Sequence, residues 1–202
     1  LQRVGASVDF VGPRRDPHAI APWSATYADP DFDQDHAATW GDSFVDPLHD
    51  RHALMATYRP DVVVLELGAN DIGWFRQGVA DSLARARAWI TSAQATSPDT
   101  DFVLVEIPWP GHPKAVEYNA LLPGLADELS TPDSRLVVAA TDPDYALGRA
   151  GDESSEGTGA TFDHIHPNSQ GQQMIGAAVA DGLSLLGVGT PYPRPLAVVP
   201  QG

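Results

Sequence analysis

The sequence predicts an α/β domain: a three-layer sandwich in which a parallel sheet is covered by helices on both faces. Four short β-branched runs bounded by turn residues recur along the chain, the pattern of strands buried on both faces. Helical periodicity lies between them, and strands alternating with helices imply a parallel sheet. The length, 202 residues, lies inside the usual domain range of roughly 50–250.

The elements follow in order. Residues 8–11 are the first expected strand, and residues 12–40 are irregular, rich in Asp, Pro and His. Residues 45–58 are amphipathic, and Pro60 closes that helix. Residues 62–67 form the second strand. In 79–95, Val79, Leu83, Ala86 and Ile90 share one helical face. Residues 102–107 are the third strand. Residues 118–129 place Leu121, Leu122, Leu125 and Leu129 together, with Pro123 and Gly124 working against a helix. Residues 136–140 are the fourth strand. A second irregular stretch, 141–161, carries Gly148, Gly151, Gly157 and Gly159. The last helix, 174–186, is ended by Gly187. One domain is expected over 1–187, followed by an extended wrap or linker over 188–202 with four prolines.

Composition excludes several functions. With 27 acidic and 12 basic residues the net charge is −15. That argues against nucleic acid, whose affinity comes from cationic neutralisation of phosphates, and against an anionic membrane surface. Cysteine is absent, which removes thiolate nucleophiles, thiolate metal sites and disulfides. No apolar run approaches the ~20 residues of a membrane span. The chain opens on Leu1 rather than Met, which predicts sequence upstream of it.

Three segments carry residues suited to chemistry. Asp163-His164-Ile165-His166-Pro167-Asn168 precedes the last helix. Histidine is the usual general base near neutral pH, and a carboxylate three residues away can orient its ring. A helix-capping surface pair has the same letters. Glu66-Leu67-Gly68-Ala69-Asn70-Asp71 leaves a buried strand at its carboxyl end, where α/β sheets bind ligands. Asn70 offers a side-chain N–H of the kind that builds an oxyanion hole, although Gly-x-Asn-Asp also makes an ordinary turn. Trp40-Gly41-Asp42-Ser43 lies before the first clear helix, and Gly41 can bring a backbone N–H close to a substrate oxygen.

Taken together, the order of these segments resembles the SGNH hydrolases, or GDSL esterases and lipases, over nearly the whole chain. The resemblance implies that His166 is the base, Asp163 its orienter, and Gly41 and Asn70 the oxyanion donors. It leaves three sources for the serine nucleophile. Ser43 sits in Gly41-Asp42-Ser43-Phe44, but the residues before it do not form a strand. Ser7 sits in Val4-Gly5-Ala6-Ser7-Val8, where Ala6 replaces the family's Asp. The third source lies outside these 202 residues. The tail Pro195-Leu196-Ala197-Val198-Val199-Pro200-Gln201-Gly202 is similar to the family's first strand arriving at its Gly-Asp-Ser turn, and a Pro-rich linker has the same letters.

The resemblance implies hydrolysis of short acyl esters, including acetylated carbohydrates, with lipids as the alternative substrate. The partner is a small-molecule ester, no cofactor is implied, and the location is secreted or extracytoplasmic. The rival reading is a binding or scaffold domain that kept the fold and lost the reaction. Asp29, Asp31, Asp33, Asp35 and His36 alternate in a loop without the fixed spacing of a calcium site, which favours a solvated acidic segment over a metal site. His18, His52 and His112 are scattered surface or core residues. Trp40, Trp74, Phe75 and Trp109 lie near strand ends, where they serve as packing or line an acyl or sugar pocket.

Overall fold

A computed structural model describes residues 7–15, 31–145, 159–161, 163 and 165–197. Asp29, His18, His164, Gly148, Gly151, Gly157 and tail residues 198–202 lie outside them. The described elements run α1 (Arg51–Tyr58), β1 (Val62–Leu65), α2 (Ala69–Gly73), α3 (Val79–Thr96), β2 (Asp101–Val105), α4 (Pro113–Leu129), β3 (Leu136–Ala139) and α5 (Ser169–Leu185).

The three strands form a parallel sheet in the order β1-β2-β3. Val63 stands opposite Phe102, and Phe102 opposite Leu136. Every residue of the central strand β2 is buried, and its side chains alternate between two cores. Phe102 and Leu104 join Ala86, Ile90, Tyr118 and Leu122 of α3 and α4 on one face. Val103 and Val105 join Ala139, Ala178 and Leu183 on the face covered by α5. The result is three layers: α1, α3 and α4, then the sheet, then α5. Gly182 brings α5 close to the sheet, because a Cβ there would lie 3.0 Å from the Val103 side chain.

The direction of α5 fixes where the site lies. Arg135, just before β3, donates to the Leu186 carbonyl at 2.9 Å. The end of α5 is therefore at the amino edge of the sheet, and its beginning is at the carboxyl edge.

The strands expected at 62–67, 102–107 and 136–140 end one or two residues earlier, and α2 is an addition; four further differences are larger. Residues 8–11 are not a strand. They lie beside the acidic segment: the Phe10 N–H donates to Asp33 at 2.6 Å, and Arg14 and His36 form an isolated antiparallel bridge. A β-branched run becomes a strand only where a neighbouring backbone accepts its ladder, and here a carboxylate takes that place. The helix expected from 45 begins at Arg51, where Asp50 caps the N–H groups of His52 and Ala53. Residues before it are committed to side-chain bonds described below. α4 begins earlier, with Pro113 in its first turn, and continues through Pro123 because Leu122, Leu125 and Ala126 are buried. α5 likewise begins at Ser169, under an Asn168 cap.

The tail returns along α5. Val188 packs on the α5-side core. The Tyr192 N–H and the Arg194 guanidinium both bond to Asp181, at 2.6 and 2.7 Å, and Leu196 packs against Tyr145, Ala160 and Met174.

Candidate active site

Three loops at the carboxyl edge of the sheet build the site. The first is the turn from Thr39 to Asp42, closed by the Asp42 N–H to the Thr39 carbonyl at 3.2 Å. Gly41 occupies its third position with φ +82°, a conformation that favours glycine. A Cβ at Gly41 would meet nothing within 4 Å, so the backbone angle and not crowding makes glycine the fitting residue. The same open space exposes the Gly41 backbone.

The second loop leaves β1. Gly68, at φ +114°, turns the chain into α2. Asn70 follows, and its side-chain amide donates to the Asp42 carbonyl at 3.0 Å. Asp71 is fully buried and accepts from the N–H groups of Phe44 (3.1 Å) and Val45 (2.9 Å). Burial pushes the Asp71 carboxyl above its ordinary range, and those two N–H groups pull it partly back. Two neighbouring side chains of α2 thus clamp the Gly41 turn in place.

The third loop enters α5. Asn168 caps the helix by accepting from the Gly171 N–H at 3.0 Å, and it donates to the Gly159 carbonyl at 2.7 Å. Gly171 packs tightly there: a Cβ would fall 2.0 Å from the Ala160 carbonyl oxygen. In this frame one Asp163 oxygen accepts from the backbone of Ile165 (3.1 Å) and His166 (2.7 Å), and the other meets the His166 ring at Nδ1, 2.6 Å away. Partial burial raises the Asp163 carboxyl, but the His166 ring and these N–H groups outweigh it and hold it below its ordinary range. With Nδ1 committed to Asp163, proton transfer falls to Nε2.

The loops meet through Trp40, whose ring stacks beside His166 with centroids 6.4 Å apart and planes 27° from parallel. His166, Asp163, Gly41 and Asn70 are therefore drawn into one neighbourhood. The two serines differ from one another. Ser43 is fully buried, and its hydroxyl accepts from the Asp46 N–H at 2.9 Å. That bond closes a turn and shuts the oxygen away from solvent. Ser7 is exposed, next to residues 8–11 in the chain.

Two structural supports were not assigned by sequence reasoning. Asp71 was legible only as the residue following Asn70, and Asn168 only as a polar residue after Pro167 at a helix start. The acidic segment is absorbed locally: Asp33 holds the Phe10 and Asp35 N–H groups, and Asp35 pairs with Arg15. A cavity of about 350 Å³ lies beside Pro60, Asp61, Pro98 and Thr100. These residues precede β1 and β2, at the far end of the sheet from His166, so the cavity has no part in this site.

The structure thus joins a parallel α/β sandwich to an Asp-His pair beside a glycine turn and an asparagine amide. The chain belongs to the GDSL-like lipase/acylhydrolase family, whose model matches residues 5–174. Hydrolysis of acyl esters is accordingly its reaction class. Solved structures with the same fold include a family 3 carbohydrate esterase from Talaromyces cellulolyticus (TM-score 0.69, 24% identity, covering 91% of this chain and 83% of that one). A point mutant of an acetyl esterase with acetate ion is similar (0.68, 24%, 92% and 84%). So is a Clostridium thermocellum family 3 carbohydrate esterase (0.65, 20%, 92% and 81%). At these identities the likeness is one of fold. Comparison with curated proteins finds no match.

Proposed function

We propose that this chain hydrolyses short-chain acyl esters, acetate esters of carbohydrates in the first place, by serine acyl transfer. The observation that carries the reading is the 2.6 Å bond between Asp163 and the His166 ring, in a loop that meets the Gly41 turn through Trp40.

In the proposed reaction a serine oxygen attacks the acyl carbon while His166 Nε2 takes the hydroxyl proton. The carbonyl oxygen gains the negative charge and is held by the Gly41 N–H and the Asn70 amide. One N–H of that amide braces Asp42, and the other is the donor assigned to the oxyanion. The intermediate collapses, His166 returns the proton to the leaving alkoxide, and the alcohol departs. Water then repeats the sequence against the acyl-serine. Asp163 keeps the imidazole in its working tautomer and stabilises the imidazolium.

The reading assigns Ser43 to the turn, because its oxygen is enclosed and engaged. The nucleophile is then Ser7 or a serine supplied from outside these 202 residues. We also infer a location outside the cytoplasm, where polymeric acetate esters are met. A fluorophosphonate probe with peptide mapping tests the mechanism. Labelling at Ser7 or at a serine outside the sequence, abolished by His166→Ala, is the expected result. Labelling at Ser43 overturns the assignment of that residue. Absence of labelling in protein carrying its native flanking sequence favours a binding domain instead. That second reading draws on the enclosure of Ser43.

A further inference from the structure

Each proposed oxyanion donor is flanked by an exposed tryptophan. Trp40 immediately precedes Gly41 and is 54% exposed. Trp74 stands four residues after Asn70, and its N–H bonds back to the Asn70 carbonyl at 2.9 Å, so both lie on one face of α2. Trp74 is 81% exposed. An indole buries a large area when it packs, and these two keep most of theirs open to solvent. Two of them beside the same pair of donors present aromatic surface to whatever approaches the site.

We propose that Trp40 and Trp74 form a platform for the sugar rings of an uncharged glycan, which presents its ester to Gly41 and Asn70. This rests on the functional reading above and names the alcohol side of the ester. A pyranose has an apolar face of C–H groups that lies flat on an indole, and hydroxyls around its rim that seek polar partners. Polar residues neighbour both tryptophans along the chain: Thr39 and Asp42 around Trp40, Arg76 and Gln77 after Trp74. A net charge of −15 repels polyuronates and anionic lipid surfaces alike, which leaves uncharged chains. A lipid surface would be served by a continuous apolar patch. Here the two indoles stand on separate segments, the Thr39–Asp42 turn and the end of α2.

The test measures binding with polymers that carry no ester, so its outcome does not depend on hydrolysis. Neutral xylan, glucomannan and hydroxyethyl cellulose are cast into native gels, with polygalacturonate and phosphatidylcholine vesicles as comparisons. At least one neutral glycan should retard the parent protein. Trp74→Ala should weaken that binding about tenfold, and Trp74→Tyr should recover much of it. Trp40→Ala should weaken it as well, and unchanged melting would show that the variants fold. The proposal is overturned if no neutral glycan retards the parent, or if Trp74→Ala binds as the parent does. It is also overturned if vesicles, and not glycans, bind in a Trp74-dependent way. Loss of esterase activity with glycan binding intact would sink the proposed reaction and leave the platform standing.

Discussion

The Asn70 side chain holds the Asp42 carbonyl at 3.0 Å, so the residue offered as an oxyanion donor also positions the turn that carries the other donor. One amide N–H braces Asp42, and the proposed reaction assigns the second to the developing charge. Asn70→Ala should therefore lower kcat on p-nitrophenyl acetate by about 10²–10³, with a smaller change in KM. Asn70→Asp should be no better, since it replaces a donor with an acceptor beside a carbonyl. Steady-state kinetics on both variants checks this. Equal turnover in parent and Asn70→Ala would remove Asn70 from the reaction.

Asp71 should matter to the fold and, through it, to the rate. Asp71→Ala leaves the N–H groups of Phe44 and Val45 without their acceptor, a cost of about 1–3 kcal/mol. Because burial raises the native carboxyl above its ordinary value, Asp71 contributes stability that is present at acid pH. That contribution is lost as pH rises through the native pKa. In denaturant titrations across pH, the stability difference between parent and Asp71→Asn should carry this dependence, because Glu66, also raised by burial, titrates in both.

Asp163 has the opposite sign. Its native carboxyl lies below its ordinary value, so its contribution is present above the ordinary carboxylate range and is lost as pH falls through the lowered value. The group is partly exposed, and the effect on stability should be small. The larger effect should be on rate: Asp163→Asn should cut kcat strongly while moving the melting temperature little. Kinetics and thermal melts on the same preparation check both halves.

Ser43→Ala should retain turnover within about threefold and cost about 1 kcal/mol of stability, the worth of one lost turn bond. Loss of all activity with melting unchanged would return Ser43 to the nucleophile role.

Gly171→Ala and Gly176→Ala form a matched pair on α5. At Gly171 the added carbon meets the Ala160 carbonyl oxygen, whereas at Gly176 it meets nothing within 4 Å. The first should destabilise by about 1–3 kcal/mol and disturb the Asp163 loop with it. The second should stabilise by roughly 0.5–1 kcal/mol. Thermal melts of the two variants decide this.

Much of this was legible in the sequence, for identifiable reasons. β2 was readable because a strand buried on both faces carries its apolar residues consecutively; β1 and β3 carry the same kind of run although they are only partly buried, with Val64 exposed. Residues 8–11 misled because the same letters say nothing about whether a neighbouring strand exists. Residues 45–50 misled because side chains of Asp71, Ser43 and Asp42 take the N–H groups of Val45, Asp46 and Leu48 and fix the segment as turns. The Asp163–His166 pair was legible because its partners lie three residues apart. The joining of Gly41 to Asn70 was visible only in the order of segments along the chain, since the bonds that make it cross 27 and 28 residues.

The Asp163 carboxylate grips the peptide groups of residues 165 and 166, whatever side chain residue 165 bears. Ile165 is half exposed beside His166, the proposed base, so its identity is written on a scaffold that does not read it. Position 165 is a place where selection, natural or in the laboratory, can redraw what the site admits without disturbing how the site works.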